Sequence, residues 1–413
     1  MAHHSKLTTH YSKPRVLFLD QTGQLGGAEL SLLDVAERFA GRGEELPGAG
    51  VVLFEDGPFR ERLSERGVAV AVMPLSGAAG RASKRGGGWA GLTAAPGTLR
   101  QAWRVRRRAG AFDVMYANTQ KAFVIAALAL SRRPLVWHLR DMLDGEHFSE
   151  GNRRLAVNLA NRRAAAVICN SQATAHAFAA AGGRQALCEV IPNGIGPAPF
   201  DEVDAATVQQ TRRQLGLGGG PLIGVFGRLT EWKGQHVAIE ALGLLQHEPA
   251  AHLILVGEAV FGEADRAYAA RLREQVCAAS LQDRVHFLGF RGDVPALMRA
   301  CDGVVHSATS AEPFGRVVVE AMLSGTPVIA SNAGGPAEIV SDGQTGRLVR
   351  PGDAGALAAV IDELLSDRAE AEAMASRARE HALREYALGP VLDRIEAVIE
   401  RVMGGAVGGV SSS

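Results

Sequence analysis

The sequence predicts an α/β protein built from two doubly wound, parallel-sheet domains, and three observations predict it. A chain of 413 residues exceeds what one ordinary core holds, so two domains of roughly 200 residues each are expected. Short apolar strands alternate with helical patterns along nearly the whole chain, which implies parallel sheets covered on both faces. The series also restarts after Ile191-Pro192-Asn193-Gly194-Ile195, where the stretch GPAPF reads as a linker.

Taken in order, residues 1–14 lack an apolar h-region and read as a disordered leader of a cytoplasmic protein. The first domain, 15–195, opens with a strand at 16–19, a loop holding Gly23, Gly26 and Gly27, and a helix. That helix sets Leu32, Val35, Ala36 and Phe39 on one face. Further strands fit at 49–54, 68–73, 114–116, 135–137, 167–169 and 189–191. The stretch 76–97 is rich in Gly, Arg and Ser and reads as a mobile loop. In the second domain, 196–385, strands fit at 222–226, 252–256, 285–288, 303–306, 327–330 and 346–349, and the chain is helical from about Asp353. Residues 386–403 form a terminal helix, and the Gly/Ser-rich 404–413 reads as a disordered tail.

Composition excludes an integral membrane protein of the helical kind. The longest apolar run, 123–130, falls well short of the ~18 residues a spanning helix needs. Cys169, Cys188, Cys277 and Cys301 show no C-x-x-C pair or metal-ligand spacing and read as buried, reduced thiols. Net charge is zero, yet residues 1–200 hold 25 basic and 16 acidic side chains, against 19 and 28 in 201–413. A basic first half suits peripheral contact with an anionic membrane face or a phosphorylated lipid. The segment 100–108, with Trp103 among arginines, is the peak of that charge. Its other reading is a solvated helix face docked on the acidic half. No nucleic-acid partner is expected.

The segment with the most chemistry is EPFGRVVVEAMLSGTPVIASNAGGPAE, residues 312–338. Glu312 and Glu320 flank a turn made by Pro313, Phe314 and Gly315, which runs into an apolar helix. A second turn follows at Gly334-Gly335, with Pro336 at a first helical position. Glycine turns at helix N-termini offer free N–H groups and partial positive charge, which suit a phosphate or pyrophosphate. A carboxylate accepts paired hydrogen bonds from vicinal hydroxyls, which suits a sugar or a ribose.

These residues resemble the E-x7-E signature of the family 4 retaining glycosyltransferases (glycosyl transferases group 1), in its E-P-F-G form with the G-x-P-V-x-A-S and G-G-x-x-E continuations. The resemblance runs from Val16 to about Val402. It implies the GT-B architecture: two facing Rossmann-like domains, acceptor side first and donor side second, a cleft between them, and a last helix crossing back. Ligands of such sheets lie beyond the carboxyl ends of the strands.

The resemblance also assigns residues. Glu312 would carry hydroxyls of the transferred sugar and counter positive charge at its anomeric carbon, whereas Glu320 would hold the ribose. Arg228 and Lys233, in FGRLTEWKGQH beyond a strand, would straddle the diphosphate; read alone, such a pair is a surface ion pair. His138, in LVWHLRD, matches a histidine that contacts the donor sugar, though alone it reads as a core residue. Gly26 and Gly27 match the G-G-A-E opening, otherwise an ordinary tight turn. Gly257 and Phe290 would lie near the base, with Phe314 and Gly315 at the donor. Asn118 and Arg140 are acceptor-side candidates. Arg316 departs from the family's usual apolar residue and either reaches the nucleotide or caps solvent.

The expected activity is transfer of a hexosyl group, with retention, from a nucleotide-diphosphate sugar (a UDP- or GDP-sugar) to an acceptor hydroxyl on a lipid-linked sugar, a polysaccharide or a small metabolite. No far-face carboxylate is evident for a covalent route. No D-x-D motif closes a strand, so no metal and no cofactor beyond the sugar nucleotide is expected. Rival readings are a sugar-nucleotide epimerase, a non-catalytic carbohydrate-binding protein, and an NAD-dependent dehydrogenase, which lacks its G-x-G-x-x-G fingerprint.

Overall fold

A computed structural model describes residues 13–40, 48–75, 96–146, 148–217, 219–248, 250–260 and 262–407. The chain divides into two compact units. The first holds residues up to Cys169, Ala177–Glu189 and the chain from Leu392; the second holds Asn170–His176 and Val190–Val391.

The elements of the first sheet and its helices run β1 (Val16–Asp20), α1 (Gly27–Phe39), β2 (Ala49–Leu53), α2 (Pro58–Glu65), β3 (Ala69–Val72), α3 (Pro96–Ala109), β4 (Val114–Ala117), α4 (Gln120–Leu128), β5 (Leu135–Leu139), α5 (Glu150–Arg163), β6 (Ala166–Cys169), α6 (Gln172–Ala180) and β7 (Cys188–Val190), of which α6 up to His176 and Val190 of β7 group with the second unit. The sheet order is β3-β2-β1-β4-β5-β6-β7. Chain order reverses between β1 and β4, which are in parallel register with Leu19 opposite Ala117. That makes their carboxyl ends the switch point at which such a sheet opens a crevice. The central strands are buried on both faces, and Trp137 stacks on Phe123 with ring centroids 4.3 Å apart.

The second unit runs α7 (Ala198–Asp201), α8 (Ala205–Leu215), β8 (Leu222–Phe226), α9 (Gln235–Leu244), β9 (His252–Val256), α10 (Gly262–Ala278), β10 (Val285–Gly289), α11 (Val294–Ala300), β11 (Gly303–His306), α12 (Arg316–Ser324), β12 (Val328–Ser331), α13 (Pro336–Ile339), β13 (Arg347–Val349), α14 (Ala354–Ser366) and α15 (Arg368–Glu385). Its sheet order is β10-β9-β8-β11-β12-β13, with the switch point between β8 and β11. Alternation along the strands feeds two cores. Ile223, Val225, Leu253 and Leu255 enter one, while Leu222, Phe226, Ile254 and Val256 enter the other. Each fully buried aliphatic side chain contributes about 1.5–3 kcal/mol, so two filled faces hold the sheet between its helical layers.

The last helix, α16 (Leu388–Val407), changes allegiance along its length. Its residues from Leu392 group with the first unit. There Ile395, Val398 and Ile399 are buried, Glu396 accepts from Arg38 at 2.8 Å, and Arg401 reaches Glu189 at 2.6 Å.

Four expectations need correction. Of the cysteines read as buried, Cys188 is only partly so and Cys277 is exposed, because it lies off the face of α10 that buries Tyr268, Leu272 and Val276. The stretch read as a loop from 76 to 97 lies outside the described residues as far as 95, but Pro96 and Gly97 already open α3. Proline tolerates a first helical turn, so the loop composition ran on into a helix start. GPAPF is not a plain linker, because α7 occupies its end and Phe200 is buried in the second unit's core. The tail is helical through Val407, since Gly404 and Gly405 weaken a helix without ending it; residues 408–413 lie outside the described set. Of the expected leader, residues 1–12 also lie outside it.

Candidate active site

In the second unit the site is built where β8 and β11 end. Beyond β8, Gly227 donates to Val256 O at 2.9 Å, and Gln235 holds the Arg228 carbonyl at 2.7 Å. The chain then turns through Trp232 and Lys233, and Thr309 N donates to Trp232 O at 2.9 Å. Lys233 lies 4.5 Å from the Trp232 ring centroid. It also donates to Glu312 Oε1 at 2.6 Å. The other oxygen of Glu312, Oε2, accepts from His306 Nε2, and His306 is the last residue of β11. Burial pushes the Glu312 carboxyl up, but Lys233 and His306 outweigh it and hold the group well below the ordinary carboxylate range.

Two glycine turns fix Glu312. Gly315 has φ +91° and Gly334 has φ +65°. A Cβ on Gly334 would stand 2.2 Å from Glu312 O, so the turns lie against each other closer than any side chain permits. Gly335 N donates to Glu312 O at 2.8 Å, and Val318 N to Gly315 O at 2.9 Å. The amides of Arg316 and Val317 precede that bond, have no intrahelical acceptor and give the start of α12 a partial positive charge.

Glu320 sits on α12 and takes Arg316 Nε at 2.7 Å. Arg316 therefore answers the second carboxylate of the signature, one helical turn away. At the ends of β9 and β10, Gly257 N bonds Gly289 O at 2.8 Å and Phe290 N bonds Glu258 Oε1 at 3.2 Å, while the Phe290 side chain stands exposed.

The first unit carries its own cluster at the strand ends. Asp20 closes β1, Asn118 follows β4, and His138 and Arg140 lie at and just beyond the end of β5. Asn118 Nδ2 donates to Asp20 Oδ2 at 2.6 Å, and its Oδ1 accepts from Arg140 Nε at 2.5 Å. Burial pushes the Asp20 carboxyl up to about 6 against the opposing bonds from Asn118 and Thr22. The Tyr116 hydroxyl meets His138 Nδ1. Burial first, and Arg140 second, hold the His138 imidazole well below its ordinary value, so the ring is neutral. Nε2 of the same ring is a buried atom without a partner among the described residues. Gly26 caps α1, with Leu30 N donating to Gly26 O at 3.0 Å, and Gly27 is the helix's first residue.

Of the residues the sequence nominated, the structure thus joins Lys233 to Glu312 and Asn118 to Arg140. It places Phe314, Gly315, Gly257 and Phe290 on strand-end turns of the second unit, and gives Glu320 a partner of its own. Sequence reasoning passed over His306, Asp20 and Tyr116. For the first two the available signal was a polar residue closing an apolar strand, as in GVVH and VLFLD.

Residues 208–381 match the family model described as glycosyl transferases group 1, and residues 26–194 match that of the glycosyl transferase 4-like domain. HepE of Anabaena, solved with UDP and glucose, is 41% identical with a TM-score of 0.84, the alignment covering 94% of this chain and 99% of that one. The 2-deoxystreptamine glucosyltransferase of Streptomyces kanamyceticus is 32% identical over 250 residues, 59% of this chain and 62% of that protein. The lipopolysaccharide core mannosyltransferase LpcC of Rhizobium leguminosarum bv. viciae is 34% identical over 215 residues, 52% and 60% respectively. The chain therefore spans about 60% of the length of these two curated relatives. These matches, over a chain that folds as two doubly wound parallel sheets of the GT-B class, place it in the glycosyl transferases group 1 family.

Proposed function

We propose that the protein transfers a glucosyl group from UDP-glucose, with retention of anomeric configuration, to an acceptor hydroxyl. The observation that carries the donor is the likeness to HepE, which was solved with UDP-glucose and is 41% identical over 94% of this chain. The wider activity rests on the match to the family.

In this reading the acceptor oxygen forms its bond to C1 on the face from which the diphosphate leaves, and the acceptor proton passes to a departing phosphate oxygen. Arg228, Lys233 and the start of α12 answer the charge developing on the diphosphate, the part a metal ion plays in other transferases. Glu312, kept ionised by its neighbours, counters positive charge at C1 and accepts sugar hydroxyls. It has lone pairs to spare beyond the two bonds it accepts now. Glu320 takes the ribose hydroxyls, and Nε2 of His138 donates to a sugar oxygen. Gly257 and Phe290 border the uracil. The acceptor, a lipid-linked sugar, polysaccharide or small metabolite, is received by the first unit through Asn118 and Arg140. The reaction runs in the cytoplasm and needs no metal or further cofactor.

Thermal unfolding with UDP, GDP, ADP, dTDP and NAD tests the donor, since a ligand at ~100 times its Kd stabilises the native state by ~2.7 kcal/mol. UDP alone should raise the midpoint, and UDP-glucose turnover should persist in EDTA with an α-linked product by NMR. A shift with NAD alone, or with another diphosphate alone, overturns the assignment, and a β-linked product overturns retention.

A further inference from the structure

Helix α3 has two unlike faces. Thr98, Gln101, Ala102, Val105 and Ala109 are buried, and Gln101 Nε2 is anchored to Met73 O at 2.7 Å. The opposite face carries Leu99 and Trp103, one turn apart and 50% and 55% exposed, among Arg100, Arg104, Arg106, Arg107 and Arg108. So large an exposed apolar side chain is uncommon here. Among the described residues only Leu130, Leu244, Val260 and Phe290 share that property, each at a different place in the sequence.

The charge on this face is as unanswered as its apolar area. No acidic residue occurs between Glu65 and Asp113. Among the described residues no carboxylate pairs with Arg100, Arg106 or Arg108. Arg104 reaches only Gln101 of its own helix, at 3.4 Å, and Arg107 lies over the Trp103 ring at 4.9 Å. Elsewhere surface arginines do find carboxylates, as Arg38 finds Asp393 and Arg377 finds Glu370. Five clustered guanidinium groups without counter-charges repel one another unless an anionic partner covers them.

A partner for this face must supply both negative charge and an apolar layer. A soluble polyanion supplies only the first. An anionic bilayer supplies both: phosphates for the guanidinium groups, and an acyl boundary for an indole ring and a leucine, with tryptophan favoured at that depth. We infer that the outer face of α3 docks the protein on an anionic membrane surface, the arginines at the headgroups and Leu99 and Trp103 at the acyl boundary. Each basic side chain near such a surface multiplies partitioning by about fivefold. The inference is independent of the donor and of the transfer reaction.

Co-sedimentation of the full chain with phosphatidylcholine vesicles, with and without phosphatidylglycerol, tests it. Binding is expected only with the anionic lipid, weakening as salt is raised. R100S/R106S/R108S should reduce partitioning on the order of a hundredfold, while R100K/R106K/R108K retains it and both variants unfold at the wild-type temperature. The emission of Trp103, read as wild type minus Trp103→Phe, should shift to the blue on anionic vesicles. Equal binding to neutral vesicles, no binding to either, or wild-type partitioning of the serine variant overturns the inference. So does tighter binding to heparin or an oligonucleotide with no Trp103 shift on vesicles, which assigns the face to a soluble polyanion.

Discussion

Lys233 Nζ stands 2.6 Å from Glu312 Oε1, joining residues 79 positions apart across the switch point of the second sheet. The proposed roles of both residues depend on that bond. A diphosphate that draws on Lys233 loosens its hold on Glu312 just as the carboxylate is needed at the sugar. Both side chains are mostly buried, at 15% and 12% exposure, so the pair is stronger than a surface ion pair and weaker than a fully desolvated one.

Replacing Lys233 by Met should therefore cost about 1–3 kcal/mol of stability, because it leaves a carboxylate short of a partner. Glu312→Gln in the same background should recover part of that loss. Urea unfolding of wild type, both single variants and the double variant reads the coupling, and strictly additive effects would show that the bond contributes nothing. The folded pKa of Glu312 is lowered, so its stabilisation is complete above the ordinary 4.5 and fades as pH falls below it. Glu312→Gln should flatten the acid limb of the unfolding curve. Turnover of Lys233→Met should fall at least about a hundredfold, as for loss of one charge-stabilising donor.

Asp20 has the opposite sign. Its folded pKa is raised from 3.8 to about 6, so the proton it holds favours the folded state below 4, and that advantage is lost as pH rises through 6. Relative to wild type, Asp20→Asn should gain stability between pH 4 and 7, by about 3 kcal/mol at most, because each tenfold change in proton affinity is worth ~1.4 kcal/mol. Thermal unfolding of both proteins at the two ends of that window decides it. A difference that does not change with pH would mean that Asp20 is ionised throughout.

His138 is held neutral by burial and by Arg140, so its ring proton signals should stay flat in NMR between pH 5.5 and 8. A midpoint near 6.5 would contradict the assignment. His138→Ala should reduce kcat/KM by about one to two orders of magnitude, the worth of one buried hydrogen bond of ~1–3 kcal/mol, with no loss of the acid limb of the pH profile.

Gly334 tolerates no side chain. At φ +65°, with a Cβ position 2.2 Å from Glu312 O, Gly334→Ala must displace the turn that carries Glu312. The expected result is a loss of roughly 1–3 kcal/mol together with a loss of turnover. Gly343→Ala has similar strain, at φ +71° and nothing within 4 Å, and should lose stability while keeping activity. Equal turnover in the two variants would separate Gly334 from the site.

The strands were legible because each is an apolar run closed by a turn signal, and all thirteen have a counterpart in the structure. The E-P-F-G turn and the cation at Lys233 were legible for the same local reason. What escaped was the neighbourhood that topology creates. Asp20 meets Asn118 across 98 residues, and it does so because β4, rather than β3, lies beside β1 on that edge. His306 lies only six residues before Glu312, but nothing in GVVHSAT says that the strand end turns its imidazole toward the loop that follows. Arg316 was equally ambiguous, because its four-residue spacing to Glu320 matters only once α12 begins at Arg316.

The change of allegiance along α16 sets an order of events during synthesis. The first unit is nearly all translated by Glu189, yet Ile395, Val398 and Ile399, which are buried, and Glu396, which answers Arg38, emerge some two hundred residues later. At ~5–20 residues per second, the groups of the first unit that answer this helix, Arg38 and Glu189 among them, wait at least about ten seconds for the ribosome to deliver it. The unit that starts first is thus the one that finishes last, and chaperone demand should fall on that interval.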